Sequence, residues 1–123
     1  LVGLMPLFTD LRLSFAKKQS YKLMVNRLLD WIERTMDEPD AGLWEFRNVK
    51  QVHTYTMLFH WAGSKAAVKI GRVMIDAELV KKATRLANEA AIRIERCYDP
   101  ALRFYTQAQH SANFDASTLK LIT

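Results

Sequence analysis

The spacing of apolar residues between positions 77 and 97 constrains the fold of this chain more than any other feature. The apolar set recurs every three or four residues and consists of Leu79, Ala83, Leu86, Ala90 and Ile94. Basic side chains occupy the positions between them, namely Lys81, Lys82, Arg85, Arg93 and Arg96. This spacing matches the 3.6 residues of a helical turn, so it predicts an amphipathic helix at the outside of the fold.

Four more helices are predicted from the same kind of pattern. The five helices span residues 2–17, 21–36, 51–70 and 77–97, with the last beginning at 116. Pro6 is tolerated in the first turn, and Ser20 and Asp115 are expected to cap the second and fifth helices. The second helix has an apolar stripe of Met24, Leu28, Trp31 and Ile32. We therefore predict an all-α fold.

The helix at 51–70 differs from its neighbours because apolar or small residues cover most of its circumference, and such helices are buried on more than one side. Two long loops, residues 37–50 and 98–114, alternate with short connections, and a short extended pair is expected near 103–106. Successive antiparallel helices place alternate connections at opposite ends, so both long loops should lie on one face. Such hairpins cannot complete a core alone, which predicts an arc of a toroid or superhelix.

Composition and charge narrow the function classes. The net charge of +5 comes from basic residues that alternate with acids along the chain, which favours a solvated surface over a nucleic-acid-binding patch. No apolar stretch approaches the roughly 18 residues of a membrane helix, and no secretory leader is apparent. We expect no membrane partner. Because the first residue is Leu and the last segment resembles the opening of a helix, we expect a piece of a longer protein.

The lone cysteine, Cys97, excludes an internal disulfide and a cysteine-rich zinc site. We expect it to be a small buried side chain and take cytoplasmic localisation as our working expectation. His53 and His60 lie seven residues apart on one helix face without a third ligand, so no metal site is predicted. Tyr55, Trp61 and Trp31 are expected in the core, and His60 as a hydrogen-bonded core residue.

The stretch AGLWEFR, residues 41–47, places one carboxylate between two aromatic side chains. Burial of Glu45 against Trp44 and Phe46 would raise its pKa, so that the carboxyl group could keep a proton near neutral pH and donate it. The alternative is that Glu45 is exposed or paired with Arg47. The stretch by itself supports both interpretations.

The surrounding residues resemble glycoside hydrolase family 15, the glucoamylase-like enzymes. The family pattern of Pro-Asp-x-Gly-Leu-Trp-Glu-x-Arg, followed by an inner helix, is matched by Pro39, Asp40, Gly42, Leu43, Trp44, Glu45 and Arg47, then His53, Thr54, Tyr55, Met57 and Trp61. The second loop, ERCYDPALRFYTQAQHSANFDAST, also resembles the family. Phe46 stands where some members carry a second acid.

This resemblance implies that residues 1–123 are about five helices of a single (α/α)6 toroid, without a second domain. It implies inverting hydrolysis of an α-glucosidic bond in an oligo- or polysaccharide, with Glu45 as general acid and no cofactor. Trp44 would pack beside the bound sugar, and Arg47 would hold the loop or pair with a carboxylate. His53, at the loop end of its helix, is expected to contact a sugar hydroxyl. The family's general base comes from a later hairpin, so the resemblance implies that it lies outside this chain, and Asp115 is expected to be a helix cap.

A second function class remains open. A helical repeat module that binds a protein partner through its loop face would have the same helical pattern and an incomplete core. An inner-helix face without its neighbours would also favour self-association.

Overall fold

Helices form most of the computed structural model, which describes residues 1–12, 14–43 and 50–121. A 3₁₀ turn at Val2–Leu4 leads into four α-helices: α1 Met5–Thr9, α2 Phe15–Thr35, α3 Thr54–Val73 and α4 Ala77–Glu95. Strands β1 Tyr98–Asp99 and β2 Phe104–Tyr105 form a short antiparallel pair, and a second 3₁₀ helix spans Ala116–Leu121. The prediction of an all-α fold with one extended pair in the second long loop is confirmed. None of the helices within the described residues is long and apolar enough to cross a bilayer.

Helices α3 and α4 form an antiparallel hairpin that contains most of the core. Asp76 caps α4, because its Oδ1 accepts a hydrogen bond from the backbone N–H of Leu79 at 3.0 Å. The predicted inner face of α4 is confirmed, since all five of its apolar residues are buried. On α3, a Cβ at Gly71 would lie 2.8 Å from Cγ2 of Val80, so the two helices approach closely there.

Helix α2 packs beside α4 and is joined to it by ion pairs along their exposed sides. Lys82 bonds Asp30, Arg85 bonds Glu33, and Arg93 holds Asp37 with two bonds of 2.6 Å. Hydrogen bonds from these partners lower the pKa values of the three carboxyl groups, which favours their charged forms. The basic face predicted for α4 is therefore partly occupied by two acidic residues of α2 and by Asp37, which follows it.

The prediction of one helix over residues 2–17 is wrong, because the helix ends at Thr9. Asp10 has an extended backbone, and its carboxylate accepts hydrogen bonds from the backbone N–H and the guanidinium of Arg12. This local turn competes with helix continuation. Ser20 was predicted as an N-cap but lies inside α2, which already begins at Phe15.

The apolar stripe predicted for α2 is also displaced. Among the residues of α2 whose burial is described, Val25 and Leu29 are fully buried, whereas Trp31 is 61% exposed. Trp61 is 37% exposed, so the prediction that both tryptophans belong to the core is wrong for this chain. Together with the N-terminus, α2 and α3 line an apolar groove of about 590 Å³, whose walls include Leu28, Trp31, Leu58, Phe59 and Ala62.

Candidate functional site

The first long loop is closed at its base by two backbone hydrogen bonds. The N–H of Asp40 donates to the carbonyl of Gln51 at 2.9 Å, and the N–H of Gln51 donates to the carbonyl of Asp40 at 3.0 Å. The Oδ1 atom of Asp40 also accepts from the N–H of Gly42 at 2.5 Å, which forms a turn at the start of the loop. The two ends of the loop are therefore held together at Asp40 and Gln51.

Gly42 and His53 are in close contact across this base. Gly42 has φ of +66°, a conformation that residues with a Cβ adopt at a cost. A Cβ at this position would lie 2.8 Å from both Cε1 and Nε2 of the His53 imidazole. His53 immediately precedes α3 and is only 6% exposed. The imidazole therefore supports the turn that leads into Leu43 and the residues after it.

The second long loop is bonded to the same place. The backbone N–H of Thr54 donates to the carbonyl of Gln107 at 2.9 Å, and its hydroxyl donates to the carbonyl of Thr106 at 2.6 Å. His53 and Ala108 form an isolated antiparallel bridge. The two long loops therefore meet at the N-terminal end of α3, and the prediction that they share one face is confirmed.

A small polar cavity lies where the two loops meet. Its volume is about 10 Å³, and its lining residues are Gly42, Leu43, His53, Tyr55, Gln107, Asp115 and Ser117. His53 lines this cavity, and its Nε2 atom is buried without a hydrogen-bond partner among the described residues. Buried polar atoms are usually satisfied, so this nitrogen indicates a place for an additional hydrogen-bonding group.

Three of the four predicted site residues, Trp44, Glu45 and Arg47, lie outside the described residues. Their covalent neighbour Leu43 is 45% exposed and lines the polar cavity. The fourth, His53, lines the cavity at the loop end of α3. It is much more buried than a side chain that is freely accessible to a sugar.

Three other side chains considered from the sequence, Asp115, Cys97 and His60, have roles in the fold. Asp115 caps the last 3₁₀ helix, because its Oδ1 accepts from the N–H of Ser117 at 2.6 Å, as predicted. Cys97 is 2% exposed, and burial raises the pKa of its thiol, which makes it an inert side chain. Burial lowers the pKa of His60, opposed by the charge of Asp40 and a hydrogen bond to the backbone of Ile32. Across the parts of the chain that the structure describes, no group of three or more potential ligands could hold a metal ion.

Sequence reasoning missed several residues that build the site. Thr54 and Thr106 are both buried and connect the two loops, and the Thr106 hydroxyl lies 3.0 Å from the carbonyl oxygens of Cys97 and Ala108. Nothing in the spacing of two threonines along the chain indicates that they bond across it. The Asp40-x-Gly42 spacing, in contrast, is a recognisable turn signal.

Comparison with known proteins agrees with the resemblance seen in the loop residues. The family model described as glycosyl hydrolases family 15 matches residues 9–123. A trehalase of Thermoplasma acidophilum is 28% identical over 98 residues, which are 79% of this chain and 17% of that protein. A trehalase of Thermoplasma volcanium is 24% identical over 98 residues, 79% of this chain and 16% of that protein.

The chain thus spans about one sixth of the length of these curated relatives, since the shares are 17% and 16%. No solved structure matches it. The match of the family model over nearly all of the chain nevertheless identifies its class: the chain belongs to glycosyl hydrolase family 15.

Proposed function

We propose that the full-length protein hydrolyses an α-glucosidic bond with inversion, and that Glu45 is its general acid. The observation that carries this proposal is the joining of the two long loops at the N-terminal end of α3, since the first of these loops contains the Trp-Glu sequence. A rigid inner helix that presents long loops at one end is a suitable support for a catalytic site. Family membership supports the reaction class.

In this mechanism the carboxyl group of Glu45 protonates the glycosidic oxygen as the bond to the anomeric carbon breaks. A second carboxylate removes a proton from water that attacks from the opposite face of the sugar. In inverting enzymes the two carboxyl groups are about 6.5–9.5 Å apart, which leaves room for that water. The second carboxylate belongs to a part of the protein outside this chain. Trp44 packs beside the sugar, Arg47 holds the loop, and His53 contacts substrate.

Trehalose is the first substrate to assay. Both curated relatives are named trehalases, which supports trehalose over other α-glucosides as a starting point. Maltose is the matching comparison, since it also joins two glucose units through an α-glucosidic bond. We propose cytoplasmic hydrolysis of such a saccharide, without a cofactor, nucleic acid or membrane as partner.

We further propose that this chain is one arc of an (α/α)6 toroid. The apolar groove between α2, α3 and the N-terminus supports this, because a groove of about 590 Å³ with Trp31 and Phe59 in its walls is large for a surface exposed to water. Neighbouring hairpins of the same domain would cover it. In the isolated chain, the same groove favours self-association.

The test of the general acid is the Glu45→Gln variant of the full-length protein, which removes the transferable proton and preserves the size of the side chain. The expected result is a fall in kcat for trehalose of about 10²–10⁴-fold with an unchanged thermal unfolding temperature. Glu38→Gln is the matched control, because Glu38 is exposed in the same loop, and it should retain the native rate. Native turnover by Glu45→Gln would remove Glu45 from the mechanism.

The exposed groove also supports the second candidate, a helical repeat module that binds another protein. The two functions differ in whether sugar binds at the loop face. Binding of acarbose to the full-length protein, lost in a Trp44→Ala variant, would support the hydrolase. A full-length protein that binds neither acarbose nor trehalose would favour the interaction module.

A further inference from the structure

We propose that the polar cavity between the two long loops binds a single hydroxyl group of the sugar, held by Nε2 of His53. This inference rests on the proposed function and deepens it, because it identifies a contact that selects the substrate. The family resemblance supplies no role for Gln107 or Ser117, which line the same cavity.

The imidazole of His53 is buried in the wall of the cavity. Its side chain is more than nine-tenths buried, and Nε2 has no hydrogen-bond partner within the described part of the chain. The imidazole edge that carries Nε2 faces Gly42, where a side chain is absent and a Cβ would come within 2.8 Å. Gly42 and His53 both line the cavity, and we therefore assign the unpartnered Nε2 to its wall.

The size of the cavity limits what can enter. A volume of about 10 Å³ accommodates one water-sized oxygen atom, and a sugar ring does not fit. A hydroxyl group that projects from a ring bound outside the cavity has the required size. The lining residue Leu43 is 45% exposed, so the cavity lies at the loop surface and not inside the core.

The walls can both donate and accept hydrogen bonds, as a hydroxyl group requires. The imidazole of His53, the amide of Gln107 and the hydroxyl of Ser117 each offer polar atoms. Tyr55 lies in the first turn of α3, so this wall of the cavity belongs to the positive end of the helix dipole.

Two sources could supply such an oxygen, a sugar hydroxyl or an isolated water molecule. A water would satisfy His53 equally in the presence and absence of substrate, and would make binding insensitive to any one hydroxyl of the sugar. A sugar hydroxyl would make binding depend on one position of the ring. The inference commits to the sugar hydroxyl, and the two sources predict different results with deoxygenated sugars.

The experiment measures dissociation constants by calorimetry in the full-length Glu45→Gln protein, where substrate stays intact. The ligands are trehalose, maltose and the monodeoxy analogues of whichever binds more tightly. Removing one particular hydroxyl is expected to weaken binding roughly 10- to 100-fold, because it leaves a buried polar atom unpaired. A His53→Phe substitution keeps a flat ring against Gly42 and removes the nitrogen. It should weaken binding of the parent sugar by a similar factor and abolish the effect of that one deoxygenation.

A second measurement needs no change at His53. In the Glu45→Gln protein labelled with ¹⁵N-histidine, the Nε2 resonance of His53 should shift when the parent sugar is added. The shift should be absent with the critical deoxy analogue.

Three results would count against the proposals, and they can be distinguished. If every deoxy analogue has the same effect with His53 and with Phe, the hydroxyl site is wrong and the proposed hydrolase is untouched. An unmoved Nε2 resonance at saturating sugar leads to the same conclusion. If neither trehalose nor maltose binds, both the site and the proposed function are overturned.

Discussion

Gly42 is the residue whose local conformation controls how the chain enters the Trp-Glu loop. Its φ of +66° and its contact with the His53 imidazole both oppose a side chain. We expect Gly42→Ala to lower the free energy of unfolding by about 1–2 kcal/mol, because an L-residue is strained in the left-handed region. Urea denaturation measures this change.

Gly3→Ala is the control for that prediction. A Cβ at Gly3 would have no heavy atom within 4 Å, so the substitution should change stability by less than about 0.5 kcal/mol. If both glycine variants prove equally stable, the contact between position 42 and His53 does not constrain the loop.

Because of His60, we expect the free energy of unfolding to depend on pH in a range separate from that of the carboxylates. Burial is the main cause that lowers its pKa in the folded state below the usual 6.5. Below pH 6.5 the unfolded chain therefore takes up a proton that the folded chain resists, and stability falls with decreasing pH until the folded pKa is passed. Above this window His60 is neutral in both states. Urea midpoints at several pH values between 8 and 5 measure the loss.

The His60→Gln variant should lack this part of the pH dependence. His110→Asn is the matched control, since His110 is exposed and its positive φ of 59° suits asparagine. The control should retain the native profile.

The ion-paired carboxylates Asp30 and Asp37 have lowered pKa values, so their contribution to the free energy of unfolding is lost only as the pH falls below about 4. A profile that His60→Gln leaves unchanged between pH 7 and 5 would contradict the assignment.

The packing of helix α3 against helix α4 depends on where glycine lies along α3. Gly63 and Gly71 are both inside this helix, where alanine is intrinsically favoured by about 0.5–1 kcal/mol. At Gly63 a Cβ would make ordinary contacts of 3.5 Å, but at Gly71 it would lie 2.8 Å from Val80 Cγ2 and 3.1 Å from the Val80 backbone nitrogen.

We therefore expect opposite effects from the same substitution. Gly63→Ala should raise the free energy of unfolding by roughly 0.5–1 kcal/mol. Gly71→Ala should lower it by about 1–3 kcal/mol, because the added methyl group forces the two helices apart. Thermal and urea denaturation of the two variants measure the difference. Stabilisation by both would show that α4 can shift without cost.

The elements also show why sequence patterns predicted some boundaries and not others. Helix α4 has one apolar face, and its five inward residues were identified correctly because the period alone determines that face. The break between α1 and α2 depends on a local bond between Asp10 and Arg12, which competes with the helix. Serine is a residue type that often caps helices, but Ser20 lies inside α2. Residue type alone was therefore misleading there.

The site differs from the helices in how far apart along the chain its contacting residues lie. The Trp-Glu motif and the turn at Asp40 and Gly42 are local and were visible in the sequence. The contact of Gly42 with His53 and the bonds from Thr54 to the second loop join distant positions. Apolar periodicity contains no information on these pairs. The burial of His53 was for this reason not predicted, although its location was.

The groove between α2 and α3 leads to the last prediction, which concerns the isolated chain. Trp31 is 61% exposed in its wall, with the guanidinium of Arg34 5.6 Å from the ring centre. Because an exposed apolar surface of this kind is stabilised by contact with another, the chain should associate with itself as its concentration rises. Trp31→Lys should lower the association constant at least about tenfold and leave the unfolding free energy within about 0.5 kcal/mol. Sedimentation equilibrium measures the association.

Leu11→Lys is the control for this prediction, since Leu11 is 95% exposed and outside the groove. This variant should associate like the native chain. Equal association of both variants would mean that the groove is not the contact surface, and would weaken its interpretation as the face that neighbouring hairpins cover.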